Sequence, residues 1–169
     1  MDINSIKTQL ENLLKKDDLS HATQGARMVY DLSQIIRSNE LNTSTILSLC
    51  DILLQTQLSE RGNIFQITSL FDGTTMRLII FLEALLEKEL SLAVYNILIH
   101  QSSENEAKPA GYNLAHGRHK ESFYEKIINK LPEDLKRNLE NAAFVIYLDE
   151  ERTEAVEYDV LGDGVRYLL

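Results

Sequence analysis

The feature that most constrains the fold is residues 74–100, where apolar side chains occupy nearly every side of a helix. Leucines recur there at helical spacing, and a helix that is apolar almost all round belongs inside a bundle rather than on its surface. Charged residues between Arg77 and Glu89 interrupt the stretch, whereas a bilayer span needs about 20 mostly apolar residues. We therefore predict a buried central helix, divided in two at residues 88–91, with the other helices packed around it.

Four amphipathic segments precede this stretch. We predict helices at residues 4–16, after Ser20, and after Asn42 or Thr43, and either a short helix or a strand at residues 64–71. Short polar residues at helix starts predict N-caps, and the candidates are Ser20, Asn42 or Thr43, Asp72 or Thr74, and Ser91. Gly25 interrupts the second helix and lowers its helix propensity, so we expect another helix to approach it closely.

The C-terminal part has a different pattern. Residues 101–120 begin with a polar run that contains Pro109, which predicts a loop. We predict a helix at residues 121–131 and another with Pro132 as its first residue. The run 144–148, the alternation at 156–160 and the last residues, 165–169, predict a three-stranded meander. The alternative extends the preceding helix to about Glu151 and leaves only the last hairpin.

The chain of 169 residues is 44% hydrophobic and 25% charged, which is ordinary globular composition. The predicted fold class is α+β, predominantly α, with a multi-helix bundle around a buried central helix and a small C-terminal antiparallel sheet. We predict a single domain over residues 1–169. Its parts are a helical core at 1–100, a polar loop at 101–120, and two helices with the sheet at 121–169.

The formal net charge is −9. This disfavours direct binding to nucleic acid or to an anionic membrane, because both require a positive surface. It permits a basic protein partner. The simpler interpretation is that an acidic surface keeps the protein soluble.

Cys50 is the single cysteine, so an internal disulfide is excluded. Its neighbours Leu49, Ile52 and Leu53 predict a buried thiol with a raised pKa, which makes a poor nucleophile. The N-terminal residues lack the apolar core of a secretory signal. We expect a cytoplasmic protein in a reducing compartment.

A basic cluster at residues 116–120 stands out in this acidic chain. His116 and His119 are candidates for acid–base catalysis, and Arg118 and Lys120 for holding an anionic substrate. The simpler interpretation, which we favour, is a solvated loop that leads into a helix. His116 and His119 also have the spacing of two metal ligands, but a zinc site requires three or four, so we predict no metal site.

The second candidate site is the acidic C-terminal segment. Residues 144–169 carry seven acids and two arginines, a formal charge of −5. The candidate binding residues are Glu150, Glu151, Glu154, Glu157 and Asp159, which would meet a basic surface. Strand alternation alone also explains Glu157 and Asp159, as the solvated side of a small sheet. The calcium-loop pattern is absent from this segment.

No nucleotide-binding loop, nucleophile elbow or zinc-protease motif occurs in the sequence, and we expect no cofactor. The leading hypothesis is a non-enzymatic module that binds a basic protein, as an inhibitor, immunity protein, nucleic-acid mimic or adaptor does. The second hypothesis is an enzyme that acts on an anionic substrate through residues 116–120. The third is a structural subunit of a homo-oligomer.

Overall fold

A computed structural model describes residues 3–13, 18–101 and 107–168. Within these ranges the chain forms nine α-helices, one 3₁₀ turn and three strands, and the predicted α+β class is confirmed. The helices are α1 Ile3–Leu13, α2 Asp18–Arg37, α3 Thr43–Gln55, α4 Ile64–Leu70, α5 Asp72–Glu87, α6 Ser91–Ile99, α7 Ala110–Ala115, α8 Lys120–Lys126 and α9 Glu133–Glu140. The 3₁₀ turn is Ile128–Lys130, and the strands are β1 Ala143–Tyr147, β2 Ala155–Asp159 and β3 Val165–Leu168.

The central helix is α5, and its prediction is confirmed. Leu78, Ile79, Leu82 and Leu85 have no measurable exposure, and Phe81 is 1% exposed. α5 contacts α2, α4, α6 and α8, because a helix with apolar side chains on most of its surface requires neighbours on most sides. No helix in the described ranges has the length and apolar character that crossing a bilayer requires.

The division of the central stretch at residues 88–91 is also confirmed. The amide of Leu90 donates to the carbonyl of Leu85 (3.0 Å) and the amide of Glu89 donates to that of Leu86 (3.0 Å). This is the Schellman arrangement that ends many helices. Glu89 has φ of 63°, in the left-handed region where glycine is the usual residue.

Several predicted caps are wrong. α2 already includes Asp18, so Ser20 lies inside the helix, and Ser91 is the first residue of α6 after Leu90. Phe71 occupies the N-cap of α5, while the hydroxyl of Thr74 donates to the carbonyls of Thr68 and Phe71. The cap at Asn42 is confirmed, because its side chain accepts from the amide of Thr45 (2.8 Å). The predicted last turn of the first helix, residues 14–16, lies outside the described ranges.

The expectation for Gly25 is confirmed. A Cβ atom at this position would lie 3.0 Å from Cγ1 of Ile64 and 3.4 Å from Cγ2 of Thr68. Both neighbours belong to α4, which therefore packs directly on the backbone of α2. A larger residue at position 25 would force these two helices apart.

Residues 64–70 form a helix rather than a strand, because a buried capping box begins it. The Asn63 side chain accepts from the amide of Gln66 (3.0 Å), and the Gln66 side chain accepts from the amide of Asn63 (2.8 Å). Gln66 is 1% exposed, and its Nε2 also donates to the carbonyls of His100 and Lys108 (3.3 Å each). One side chain thus joins α4 to the end of α6 and to the residues before α7.

The prediction of a polar loop over residues 101–120 is wrong at residues 110–115, which form α7. Ala110, Gly111, Leu114 and Ala115 are buried there. A Cβ atom on Gly111 would lie only 2.7 Å from the carbonyl oxygen of Leu98, so small residues let α7 pack closely on α6. The linker residues 102–106 lie outside the described ranges.

The last helical segments are shorter than predicted. The helix expected at 121–131 ends at Lys126 and continues as a 3₁₀ turn. Pro132 is the N-cap of α9 rather than its first residue. The 3₁₀ turn ends at Lys130, one residue before the predicted end, and Pro132 differs from its predicted place by one position. Differences of this size are common at helix ends.

The three strands form an antiparallel meander in the order β1-β2-β3, and the alternative with only a hairpin is excluded. Phe144 lies opposite Tyr158, and Tyr158 lies opposite Val165. The next row on the same face is Ile146, Val156 and Tyr167. Phe144 and Tyr158 stack on each other and both contact the ring of Tyr112 in α7, which attaches this face to the helices.

We expect Gln66→Leu to lower the free energy of unfolding by about 2–3 kcal/mol. Leucine has a similar volume but leaves the buried Asn63 amide without its bond, which costs about 1–3 kcal/mol. It also removes the donor from two part-buried carbonyl oxygens, which adds a smaller cost. Urea denaturation followed by circular dichroism measures the change. Gln34→Leu, on the exposed side of α2, is the control, and an equal effect of the two substitutions would contradict the proposed importance of this network.

We expect Glu89→Gly to raise the free energy of unfolding by about 1 kcal/mol. A side chain in the left-handed region costs the folded state about 1–2 kcal/mol, which glycine would remove. Glycine also increases the entropy of the unfolded chain, and this cancels about half of the stabilisation. Thermal and urea unfolding measure the shift. Glu87→Gly, at the last residue of α5, should instead destabilise the protein, because it places glycine in a helix and removes the ion pair with Arg37.

Candidate functional site

His116 ends α7 and has both ring nitrogens engaged. Nδ1 lies 2.9 Å from the carbonyl oxygen of Tyr112, and Nε2 lies 2.9 Å from that of Gly162. The ring stacks on Tyr112 (centroids 4.1 Å apart), and Nε2 is 3.6 Å from the carboxylate of Asp163. The side chain therefore connects α7 to the turn between β2 and β3, and each ring nitrogen faces a backbone carbonyl oxygen rather than a pocket.

The other members of the basic cluster have separate contacts. Arg118 pairs with Asp72 at the start of α5 (3.4 Å) with 78% of its side chain exposed. His119 is the residue before α8, and the ammonium group of Lys120 lies 5.8 Å from the centre of the Tyr124 ring. The side chains of the basic cluster therefore contact different elements, and they do not form a common anion site. In the described part of the chain, no group of three or more metal-ligating side chains converges.

Two of the candidate acids share one basic partner within the sheet. The guanidinium group of Arg166 donates from Nε to Glu157 (2.6 Å) and from Nη2 to Asp159 (2.7 Å). All three side chains lie on the solvated face, as strand alternation predicts. Glu157 and Asp159 therefore already have a basic partner, and a second one would have to compete with Arg166.

The loop between β1 and β2 holds the remaining candidate acids. Asp149 organises this loop, since its carboxylate accepts from the amides of Thr153 (2.9 Å) and Glu154 (3.1 Å) and from the hydroxyl of Thr153. These bonds lower the pKa of Asp149, with the hydroxyl contact as the largest cause. Glu150, Glu151 and Glu154 are exposed. These three acids fall within five consecutive residues of a loop in which Asp149 bonds two backbone amides.

Exposed apolar side chains lie near this loop, three of them in the apolar C-terminal run that begins at Val165. Of the eight large hydrophobic residues exposed in the described ranges, five lie between positions 147 and 168. They are Tyr147, Leu148, Val165, Tyr167 and Leu168. Val165 and Tyr167 belong to the face that packs on the helices, but at β3 that face extends beyond the helical layer, and Tyr167 is 79% exposed.

The two edges of the sheet differ. Ladder pairs in an antiparallel sheet alternate between hydrogen-bonded and non-bonded. The amide of Asp159 donates to the carbonyl of Gly164 (2.9 Å), so by alternation the backbone groups of Val165 and Tyr167 point away from β2. No described residue pairs with that outer edge of β3. On the other edge, the outward carbonyl of Val145 accepts from Nε2 of Gln101 (3.0 Å).

Cys50 behaves as predicted from its neighbours. It is 4% exposed in α3, and burial raises the pKa of its thiol from 9.0 to about 12. The thiolate is the reactive form, so this cysteine is a poor nucleophile.

Comparisons of the chain with models of protein families, with curated proteins and with solved structures found no match.

We expect Cys50 in the folded protein to react with iodoacetamide at pH 8 roughly 1,000-fold more slowly than in urea, because a pKa of about 12 instead of 9.0 lowers the thiolate fraction by that factor. Since the native state retains the proton, its stability should fall as the pH rises above about 9. Mass spectrometry and unfolding curves test both points. Cys50→Ala should show a smaller alkaline loss, and rapid native alkylation would contradict the buried thiol.

Proposed function

We propose that this chain is a protein-binding module that receives an extended, basic segment of a partner along the outer edge of β3. The observation that carries the proposal is the combination of an unpaired strand edge with exposed apolar side chains on both of its faces. Val165 and Tyr167 lie on one face and Leu168 on the other. Added strands gain main-chain hydrogen bonds from such an edge and specificity from alternate side chains.

The acidic loop supports a basic partner. In the ladder, Tyr147 lies opposite Ala155 and Ala155 lies opposite Leu168, so the loop that joins β1 to β2 is at the same end of the sheet as the end of β3. Glu150, Glu151 and Glu154 would therefore lie close to one end of an added strand. These carboxylates would attract lysine or arginine residues of the partner during encounter, and in the complex they would fix the register of the added strand.

The alternatives have less support. The enzyme hypothesis requires an open acid–base group, and both ring nitrogens of His116 already face carbonyl oxygens. A homo-oligomer through the same edge would bring together two chains with a formal charge of −9 each. We also propose the cytoplasm as the location, because the single cysteine is a buried thiol that suits a reducing compartment.

The charge part of the proposal is tested with the triple variant Glu150→Gln, Glu151→Gln, Glu154→Gln. Tagged protein captures partners from a lysate of the source organism, quantified by mass spectrometry at about 0.1 M and about 1 M salt, where the screening length falls from about 10 to 3 Å. We expect a basic protein that is retained at low salt, reduced at high salt, and reduced about tenfold by the triple variant.

The matched control is Glu40→Gln, Glu60→Gln, Glu125→Gln, which removes the same charge from exposed positions outside the sheet. It should retain the captured protein. Equal losses in both triple variants would mean that net charge alone is responsible, and the acidic-loop proposal would be wrong.

The edge is tested separately with Tyr167→Pro and Tyr167→Thr. Proline removes an amide that points away from β2, so the β2–β3 ladder keeps its bonds, whereas threonine changes only the side chain. Strand addition predicts a larger loss of captured partner for proline than for threonine. Equal capture by both variants would argue against main-chain pairing.

A further inference from the structure

A second apolar surface lies far along the chain from the sheet, in a groove between α3 and α6. The groove has a volume of about 290 Å³, and its lining includes Leu47 and Leu54 of α3 and Leu92 of α6. Leu92 is 60% exposed and Leu47 is 43% exposed. Large apolar side chains exposed on both sides of one concave surface are typical of a site that another apolar element covers.

The charged groups of this groove have a single sign. Asp51 of α3 and Glu89, just before α6, both line it and are both exposed. Among its described lining residues none is lysine, arginine or histidine. An occupant with basic residues on either side of an apolar stripe would match both properties of the groove.

Glu89 is a position at which the charge of the groove can be removed without loss of stability. Its φ of 63° belongs to the Schellman arrangement that ends α5, in which glycine would stabilise the helix end. Here the residue in that conformation carries one of the two carboxylates that line the groove.

We propose that this groove binds an amphipathic helix of a partner protein, with an apolar stripe flanked by lysine or arginine. α3 and α6 use their backbone groups within their own turns, so an extended peptide would find few main-chain partners between them. A helix makes its own main-chain hydrogen bonds and can place side chains at i, i+3 or i+4, and i+7 into the groove. A second copy of this chain would instead bring Asp51 and Glu89 against an acidic protein.

This inference does not depend on the proposed function of the sheet. The groove and the β3 edge are formed by different elements, α3 and α6 in one case and β3 in the other. Each has its own variants, so one site can be lost while the other is retained.

The probe is a fluorescein-labelled synthetic helix of about 15 residues, close to the shortest length at which an isolated helix is marginally stable. It carries leucine at i, i+3, i+4 and i+7 and lysine or alanine elsewhere. A second peptide has glutamate in place of lysine. Fluorescence anisotropy with the full chain should show that the lysine peptide binds at least about tenfold more tightly than the glutamate peptide.

The position of binding is tested with the double variant Leu47→Gln, Leu92→Gln. We expect it to weaken binding of the lysine peptide about tenfold or more, because it removes the two most exposed apolar contacts. Tyr30→Gln, an exposed large side chain on α2, is the matched control and should bind normally. Tyr167→Pro should also bind normally, which separates the groove from the sheet.

Glu89→Gly gives a readout that misfolding cannot imitate, since the variant should be more stable than the parent while it binds the lysine peptide several-fold more weakly. The proposal is overturned if the groove double variant and Tyr30→Gln bind the peptide equally, or if the glutamate peptide binds as well as the lysine peptide. It is also overturned if sedimentation shows a dimer of the chain that the groove double variant abolishes, because the occupant would then be a second copy.

Discussion

The hydrogen bonds of the buried Gln66 side chain are the interaction on which the relative positions of α4, α6 and α7 depend. The side chain completes the capping box of α4 and reaches the carbonyls of His100 and Lys108, on either side of residues 102–106. A buried amide is stabilising only when its donors and acceptor all have partners, so this one side chain specifies a single relative position for α4, α6 and the start of α7. Alternative packings would leave polar groups buried without bonds.

The position of α7 then decides where the sheet lies. Its Tyr112 ring contacts Phe144 of β1 (5.0 Å between centroids) and Tyr158 of β2 (6.0 Å). Its C-cap residue, His116, reaches the carbonyl of Gly162 in the turn between β2 and β3 (2.9 Å). The helices thereby cover β1 and β2 and leave β3 outside. The edge of β3 proposed as a binding surface is exposed because the helices contact β1 and β2 and do not extend over β3.

The elements with strong periodicity were predicted correctly, whereas the local details were predicted only in part: the cap at Asn42 and the close approach at Gly25 are confirmed, and other caps are not. α5 was identified because its apolar residues need burial on almost every side, and the strands because their side chains alternate. The cap at Ser20 was wrong because α2 already includes Asp18, and the cap at Ser91 was wrong because Ser91 is the first residue of α6. Thr74 does not cap α5 because its hydroxyl donates to the carbonyls of Thr68 and Phe71. α7 was missed because its small residues, Ala110 and Gly111, carry little hydrophobic signal and are buried through close approach to Leu98.

The sequence by itself determined the fold class, the buried central helix, the inert thiol of Cys50 and the concentration of acids near the C-terminus, because each follows from composition or from spacing along one segment. Only the tertiary structure decided which charges and apolar side chains remain accessible. Arg166 pairs with both Glu157 and Asp159, His116 lies between two carbonyls, and Tyr167 and Leu92 stay exposed. The physical reason is that accessibility depends on contacts between residues distant in the chain, which no local pattern records.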